Sequence, residues 1–292
     1  MKKTLQKSYP DLAKKLGLPG IWIKHEYLNE SGSHKIRLME YLIKNYLKKG
    51  QKNFVICSSG NAGIAAAYFL NKNKLADAKL KIFISPNISK EKIERLNQTV
   101  GKNKNIELKK VIRPKQSAFA LVKKENSVFL RGSIQKDSPK AYFSLAQEIA
   151  KIPNLQAVFI PTSSGITALG IDQGFKKLKK KIEIHIIQTE KIYPMAREFD
   201  HCFLPKKTSL ASAIVDKIAF RKKELIQTIN KSLGSGWIVS DFELKKAKKI
   251  LEKNTDLKMP SYDALLSLAG VIKAQEKKWP FKKNICCVFT GR

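Results

Sequence analysis

Short apolar runs alternate with longer segments of mixed polarity along most of this chain of 292 residues. Gly20-Ile21-Trp22-Ile23-Lys24, Phe54-Val55-Ile56-Cys57 and Ala157-Val158-Phe159-Ile160 have the character of buried strands. Runs over 80–84, 106–111, 128–130, 182–187 and 285–289 extend the series. Between them the pattern predicts helices over 38–47, 64–70, 90–100, 117–124, 138–149, 241–251 and 260–273. Another runs from the turn at 161–167 to Leu178. Ser138-Pro139 supplies a cap and a first turn, and Ser240 or Asp241 caps the helix over 241–251. Residues 1–19 form a polar lead-in with a short helix over 11–16, broken at Leu18-Pro19-Gly20. The segment 193–208 is irregular, and 225–229 and 237–239 give weaker signals. Alternation of this kind predicts α/β layers built on parallel sheets. No internal repeat or low-complexity linker interrupts it.

Polar residues collect where these strands hand over to helices. Ser31-Gly32-Ser33-His34-Lys35-Ile36-Arg37 lies between a strand and a helix, so Lys35 is placed rather than loose. Gly32 permits a tight path with positive φ, and Ser31 or Ser33 can cap the helix. Ser58-Ser59-Gly60-Asn61-Ala62-Gly63 and Pro161-Thr162-Ser163-Ser164-Gly165-Ile166-Thr167 share a second design. Each follows a buried strand and opens a helix with small residues, hydroxyls and bare amides, a ready anion site. Ligands of open α/β sheets bind at the carboxyl ends of the strands. Lys35, Asn61, Ser163–Thr167 and Thr290 all fall there. Ordinary strand-to-helix turns favour the same residue types, so the four stations carry weight only together.

Charge adds an unusual feature. Lysine and arginine number 57 against 24 aspartates and glutamates, a net +33. Only seven of the basic residues are arginine, the side chain whose fork best matches phosphate. The lysines are spread in pairs and triplets such as Lys179-Lys180-Lys181 and Lys277-Lys278. Solvated faces of a lysine-rich chain are the preferred reading. No specific nucleic-acid partner is expected, and any such binding should be weak, sequence-blind and lost with salt. The four cysteines form no CxxC pair, so neither a zinc site nor a disulfide framework is expected, and a cytoplasmic location fits. The N-terminus lacks a signal-peptide core. No apolar run approaches a span, and no membrane partner is expected.

The four stations, in this order and spacing, resemble the pyridoxal-phosphate enzymes of fold type II, the tryptophan synthase β-like group. The resemblance runs from about Gly20 to the C-terminus. It implies a two-domain α/β fold, with parallel-type sheets flanked by helices and the cofactor between the domains. Residues 1–40 with 131–292 would form the larger domain and 41–130 the smaller. It implies that Lys35 carries the cofactor aldehyde on its amine and moves protons in catalysis. Asn61 would bond the ring's phenolic oxygen. The amides and hydroxyls of Ser163, Ser164, Gly165, Ile166 and Thr167, followed by Gly170, would hold the phosphate. Thr290 would bond the ring nitrogen, and Ser58 and Ser59 would meet the substrate. Ser58–Gly63 and Thr290-Gly291 are most similar to threonine synthases, whereas His34 and Ile36 flanking the lysine look like tryptophan synthase β chains. The resemblance therefore implies elimination or replacement on an amino acid, first the conversion of O-phosphohomoserine to threonine, by a homodimer. A serine or threonine deaminase is the alternative. A degenerate member that binds cofactor or polyanions without turnover is another. Its motivation is the net charge of +33 and the departures around Lys35, Asn29-Glu30-Ser31 and Ile36, where the family commonly has Asn-Pro-Thr and often an aspartate; the phosphate loop Ser163-Ser164-Gly165 also has fewer glycines than is common.

Overall fold

The computed structural model describes residues 3–58, 60–258 and 260–292. The chain divides into two compact units, Met1–Leu28 with Pro139–Arg292, and Asn29–Ser138. Residues 29–40 and 131–138, grouped with the larger domain in the sequence reading, thus pack with the smaller unit.

The larger unit is built on a six-stranded sheet. Its order is β1 (Gln6–Ser8), β2 (Ile21–His25), β10 (Asn284–Phe289), β7 (Leu155–Pro161), β8 (Glu183–Thr189) and β9 (Gly236–Val239). All neighbours pair in parallel except β1, which lies antiparallel on β2. The helices of this unit are α1 (Pro10–Leu16), α6 (Phe143–Ile149), α7 (Ile166–Lys177), α8 (Lys222–Ser232), α9 (Asp241–Asn254) and α10 (Tyr262–Glu276). Ala264 through Ala274 of α10 are all buried. A helix apolar around its circumference belongs inside, and α10 accordingly packs on β7 and β10. The smaller unit carries a four-stranded parallel sheet, β5 (Ile106–Lys110), β4 (Lys79–Ile84), β3 (Asn53–Cys57) and β6 (Val128–Phe129). Its helices are α2 (Lys35–Leu47), α3 (Asn61–Lys72), α4 (Lys90–Val100) and α5 (Pro114–Glu125). The parallel α/β architecture read from the alternation is therefore the architecture of the chain. Among the described residues no helix is long and apolar enough to cross a membrane.

Local chemistry explains where element bounds differ from the pattern. Strand β1 was read as lead-in because Gln6-Lys7-Ser8 offers no apolar signal; its pairing on β2 supplies what its side chains do not. The helix expected over 138–149 is a 3-10 turn over Ser138–Tyr142 followed by α6. At α9, Ser240 is the cap. Its hydroxyl accepts the Glu243 amide at 3.1 Å, and Glu243 accepts the Ser240 amide at 2.7 Å.

Two fully buried histidines tie this core to pH. His185 lies flat on Phe159 at 4.4 Å between centroids, and Trp237 Nε1 donates to its Nδ1 at 3.1 Å. Its proton therefore sits on Nε2, which meets Glu183 Oε2 at 3.0 Å. His25 ends β2 between the hydroxyls of Tyr9 and Tyr27, both at 3.1 Å. Burial, with Lys24 and Lys7 nearby, pushes its pKa from 6.5 down to about 4; burial also lowers that of His185. Between those limits the unfolded chain takes up a proton at His25 that the folded chain refuses. Stability is thus full above pH 6.5 and falls as pH drops toward 4, by on the order of 3 kcal/mol for His25. Urea unfolding at pH 7 and 4.5 should show this loss, and His25→Gln should flatten the acid limb while lowering the neutral plateau.

Candidate active site

In the smaller unit a turn sets the approach to Lys35. The Gly32 amide donates to the Asn29 carbonyl at 2.7 Å, and Gly32 adopts φ +77, the left-handed region its lack of Cβ permits. The Ser33 hydroxyl accepts the Lys35 amide at 3.3 Å, and the Ser31 hydroxyl donates to the Ser33 carbonyl at 3.4 Å. Ser33 thereby meets the first amide of α2, although His34 is the N-cap residue and its side chain does not cap the helix. Lys35 opens the helix three residues before the apolar run from Leu38; Ile36 and Arg37 of this first turn are buried, and a buried arginine gives no apolar signal in sequence. Lys35 is half-buried, while Ser31, Ser33, His34 and Arg37 around it are buried.

Asn61 opens α3 in a comparable way. The Ser58 hydroxyl accepts the Gly60 amide at 3.4 Å, and among the described residues no side chain caps the helix. A Cβ on Gly63 would lie 2.4 Å from the Ser58 carbonyl oxygen, so the loop folds tightly back on the first turn. Ser59 lies outside the described residues. Lys35 and Asn61 belong to the same unit, and α2 packs beside α3.

In the larger unit β7 runs into the loop 162–165 and then α7. Gly165 is the N-cap at φ +85, and a Cβ there would lie 3.0 Å from Leu225 Cδ2. Among the described residues no side chain caps α7, whose first amides have no intrahelical acceptor. Left-handed followed by right-handed residues turn successive N–H groups into one concavity, which suits an anion. The loop is held from outside. The Thr162 amide donates to the Ile187 carbonyl at 2.9 Å, and the Thr162 hydroxyl donates to the Ile160 carbonyl at 2.8 Å. Buried Gln188 donates to the Thr162 carbonyl and accepts the Met195 and Ala196 amides. Gly170 is a packing residue, since a Cβ there would meet the Pro139 carbonyl oxygen at 2.2 Å.

One expected donor is already committed. The Ser163 hydroxyl donates to Asp216 Oδ2 at 3.1 Å and accepts the amides of Val215 and Asp216, each at 3.1 Å. A hydroxyl has one proton and two lone pairs. All three are used by these bonds, with which the phosphate contact expected of the Ser163 hydroxyl would compete. Neither Asp216 nor Gln188 stood out in the sequence. Both act across more than twenty residues, a distance at which spacing carries no signal.

Thr290 follows β10 and is buried. The next residue is tied down: the Ser261 hydroxyl donates to the Gly291 carbonyl at 2.7 Å while accepting the Ala264 amide as N-cap of α10.

The family model described as "Pyridoxal-phosphate dependent enzyme" matches residues 3–291. A serine dehydratase-like protein of Rattus norvegicus is 34% identical over 85 residues, 29% of this chain and 25% of that protein. The L-serine dehydratase/L-threonine deaminase of Homo sapiens is 41% identical over 54 residues, 18% of this chain and 16% of that protein. These matches span a quarter or less of the curated relatives' length. Among solved structures, maize serine racemase superposes with a TM-score of 0.81 at 18% identity, over 99% of this chain and 89% of its own. That likeness is one of fold.

Proposed function

The chain belongs to the pyridoxal-phosphate dependent enzyme family, and from that premise we propose that it deaminates serine or threonine. The support is the local identity of 34% and 43% to serine dehydratase-like proteins. That likeness supports deamination more than threonine synthesis, the reverse of the order expected from the sequence motifs.

The residues fit the cofactor. A primary amine at a helix start, half-buried among buried neighbours, suits an aldehyde. An uncapped helix N-terminus with a left-handed glycine suits a dianionic phosphate. Lys35 would hold the cofactor through its amine, and Asn61 would hold the ring's phenolic oxygen. The amides of Ser163, Ser164, Gly165, Ile166 and Thr167 would hold the phosphate, with the Thr167 hydroxyl as the side-chain contribution. Thr290 would meet the ring nitrogen through a neutral hydroxyl. When bound, the cofactor supplies an electron sink at the substrate's α-carbon.

The chain's own residues would do the rest. Lys35 Nζ would take the proton from the α-carbon and deliver it to the departing β-hydroxyl, which leaves as water. The water lost is regained on hydrolysis, so that serine would give pyruvate, or threonine 2-oxobutyrate, together with ammonia. A hydroxyl at the ring nitrogen brings no negative charge, so it does not favour a protonated ring. A weaker sink suits prompt loss of a leaving group better than transamination. Ser58 and Ser59 would meet the substrate.

The test is keto-acid formation by the cofactor-loaded protein. Pyruvate from serine or 2-oxobutyrate from threonine is the expected product. Turnover of O-phosphohomoserine with neither would move the reading back to threonine synthesis, which the Ser58–Gly63 loop and Thr290-Gly291 favour. Bound cofactor with no spectral response to any amino acid would mean a degenerate member. Ser163→Ala supplies a further check. It should lower stability by about 1 kcal/mol through loss of the tie to Asp216, yet change cofactor affinity less than about twofold. A tenfold loss of affinity would restore the phosphate role to that hydroxyl.

A further inference from the structure

Read along the chain, the lysines look scattered; the fold gathers many of them. Strands β2, β10, β7, β8 and β9 are parallel, so the loops entering them reach one edge of the sheet. Ile21, Ile285, Ala157 and Glu183 lie in mutual register, which makes that edge level. At about 4.8 Å per strand, the five entries span about 19 Å. Residues 176–181 hold five lysines and 277–283 hold four, with no acid in either run and all nine exposed. On the exit side, the connection 190–221 holds four acids beside six bases. Composition alone would charge both edges alike.

Helix macrodipoles account for some of this, because lysine is favoured in a last turn. Lys176 and Lys177 end α7 in that way. Lys282 and Lys283 do not, since they follow Pro280 and enter β10 directly. Their amides are fixed by Gln156 Oε1 at 2.8 and 3.1 Å. The backbone at four entries also takes the left-handed path that favours glycine: Asn154 at φ 48, Lys179 at φ 53, Lys278 at φ 57 and Leu233 at φ 61. Leu233 is 77% exposed there and Leu178, one strand over, is 38% exposed. A largely exposed leucine and a partly exposed one, on loops adjacent along this edge, suit a surface with an apolar layer beneath an anionic one. They serve a nucleic-acid backbone poorly. Trp279, the aromatic side chain that could stack on a base, is held by Glu183 at 3.1 Å.

We infer that this edge docks the larger unit on an anionic lipid bilayer, lysines on headgroups and Leu178 and Leu233 at the acyl boundary. No span is needed for such contact. Each lysine near an anionic surface is worth about fivefold in binding.

The test is flotation of the cofactor-loaded protein with phosphatidylcholine vesicles containing about a third phosphatidylserine, at 0.1 M salt. K179E/K180E/K282E/K283E should lose binding at least tenfold. K102E/K104E/K123E/K124E, with the same net charge but in the smaller unit, should lose less than about threefold. L178S/L233G should bind about threefold more weakly, while Leu233→Gly alone raises the unfolding midpoint by relieving the left-handed leucine. Equal losses in the two quadruple variants would overturn the inference, since net charge alone would then act. So would a larger effect of the edge variant on poly(U) binding than on vesicle binding.

Discussion

Replacing Lys35 by alanine is expected to lower turnover of serine or threonine by at least about a thousandfold while leaving the fold intact. The proposed account gives one amine two tasks, holding the cofactor and moving the α-proton. Proton transfer by a placed side chain is itself worth about 10²–10⁴-fold. The residue lies on the first turn of α2 and is half-buried, so truncation removes little packing. Lys35→Arg should be as inactive as the alanine variant. The guanidinium keeps the positive charge and can still bond a phosphate, but it does not deprotonate in proteins and cannot act as an amine. Activity in Lys35→Arg within tenfold of the native level would show that charge, rather than a nucleophilic amine, is what the site needs.

Glu148→Gln should produce the largest loss of stability, about 3–5 kcal/mol, or roughly 10 °C in unfolding midpoint. Lys24 points from β2 into the larger unit with 1% of its side chain exposed, and its ammonium meets Glu148 Oε2 at 2.5 Å and the Thr4 carbonyl at 2.8 Å. Removing the carboxylate charge leaves an ammonium in low dielectric with no counter-charge from Glu148. The pair itself is a weak source of stability, because desolvating both ions offsets most of their attraction. The double variant Lys24→Met/Glu148→Leu should therefore recover most of the loss. Calorimetry on the three proteins separates the outcomes. A double variant no more stable than Glu148→Gln would mean that the ion pair contributes net stability.

Lys24 also marks where the sequence stopped being informative. The apolar strand around it was legible, since β-branched and aromatic runs have few other uses, and so was the strand-helix alternation that fixes the parallel sheets. The turn at Gly32, the position of Lys35 at a strand-helix junction and the loop preceding α7 were legible for a similar reason: each depends on neighbours within a few residues. Whether a terminal lysine on a strand faces solvent or a glutamate 124 positions away is not a local property. The same holds for Ser163, whose hydroxyl is claimed by Asp216 53 residues on. Residues 29–40 pack with the smaller unit because α2 lies against α3, a tertiary contact that composition does not encode. Lysines that seemed dispersed share an edge only because the strands between them are parallel and in register.

The most direct measurement is chemical. Borohydride reduction of the cofactor-loaded protein fixes pyridoxal phosphate wherever an amine holds it, and peptide mapping by mass spectrometry then locates the label among fifty lysines. The proposed account predicts one dominant modified peptide, carrying the cofactor on Lys35, and none at that position in Lys35→Ala. A label concentrated on another lysine, or spread over exposed lysines without preference for Lys35, would contradict it.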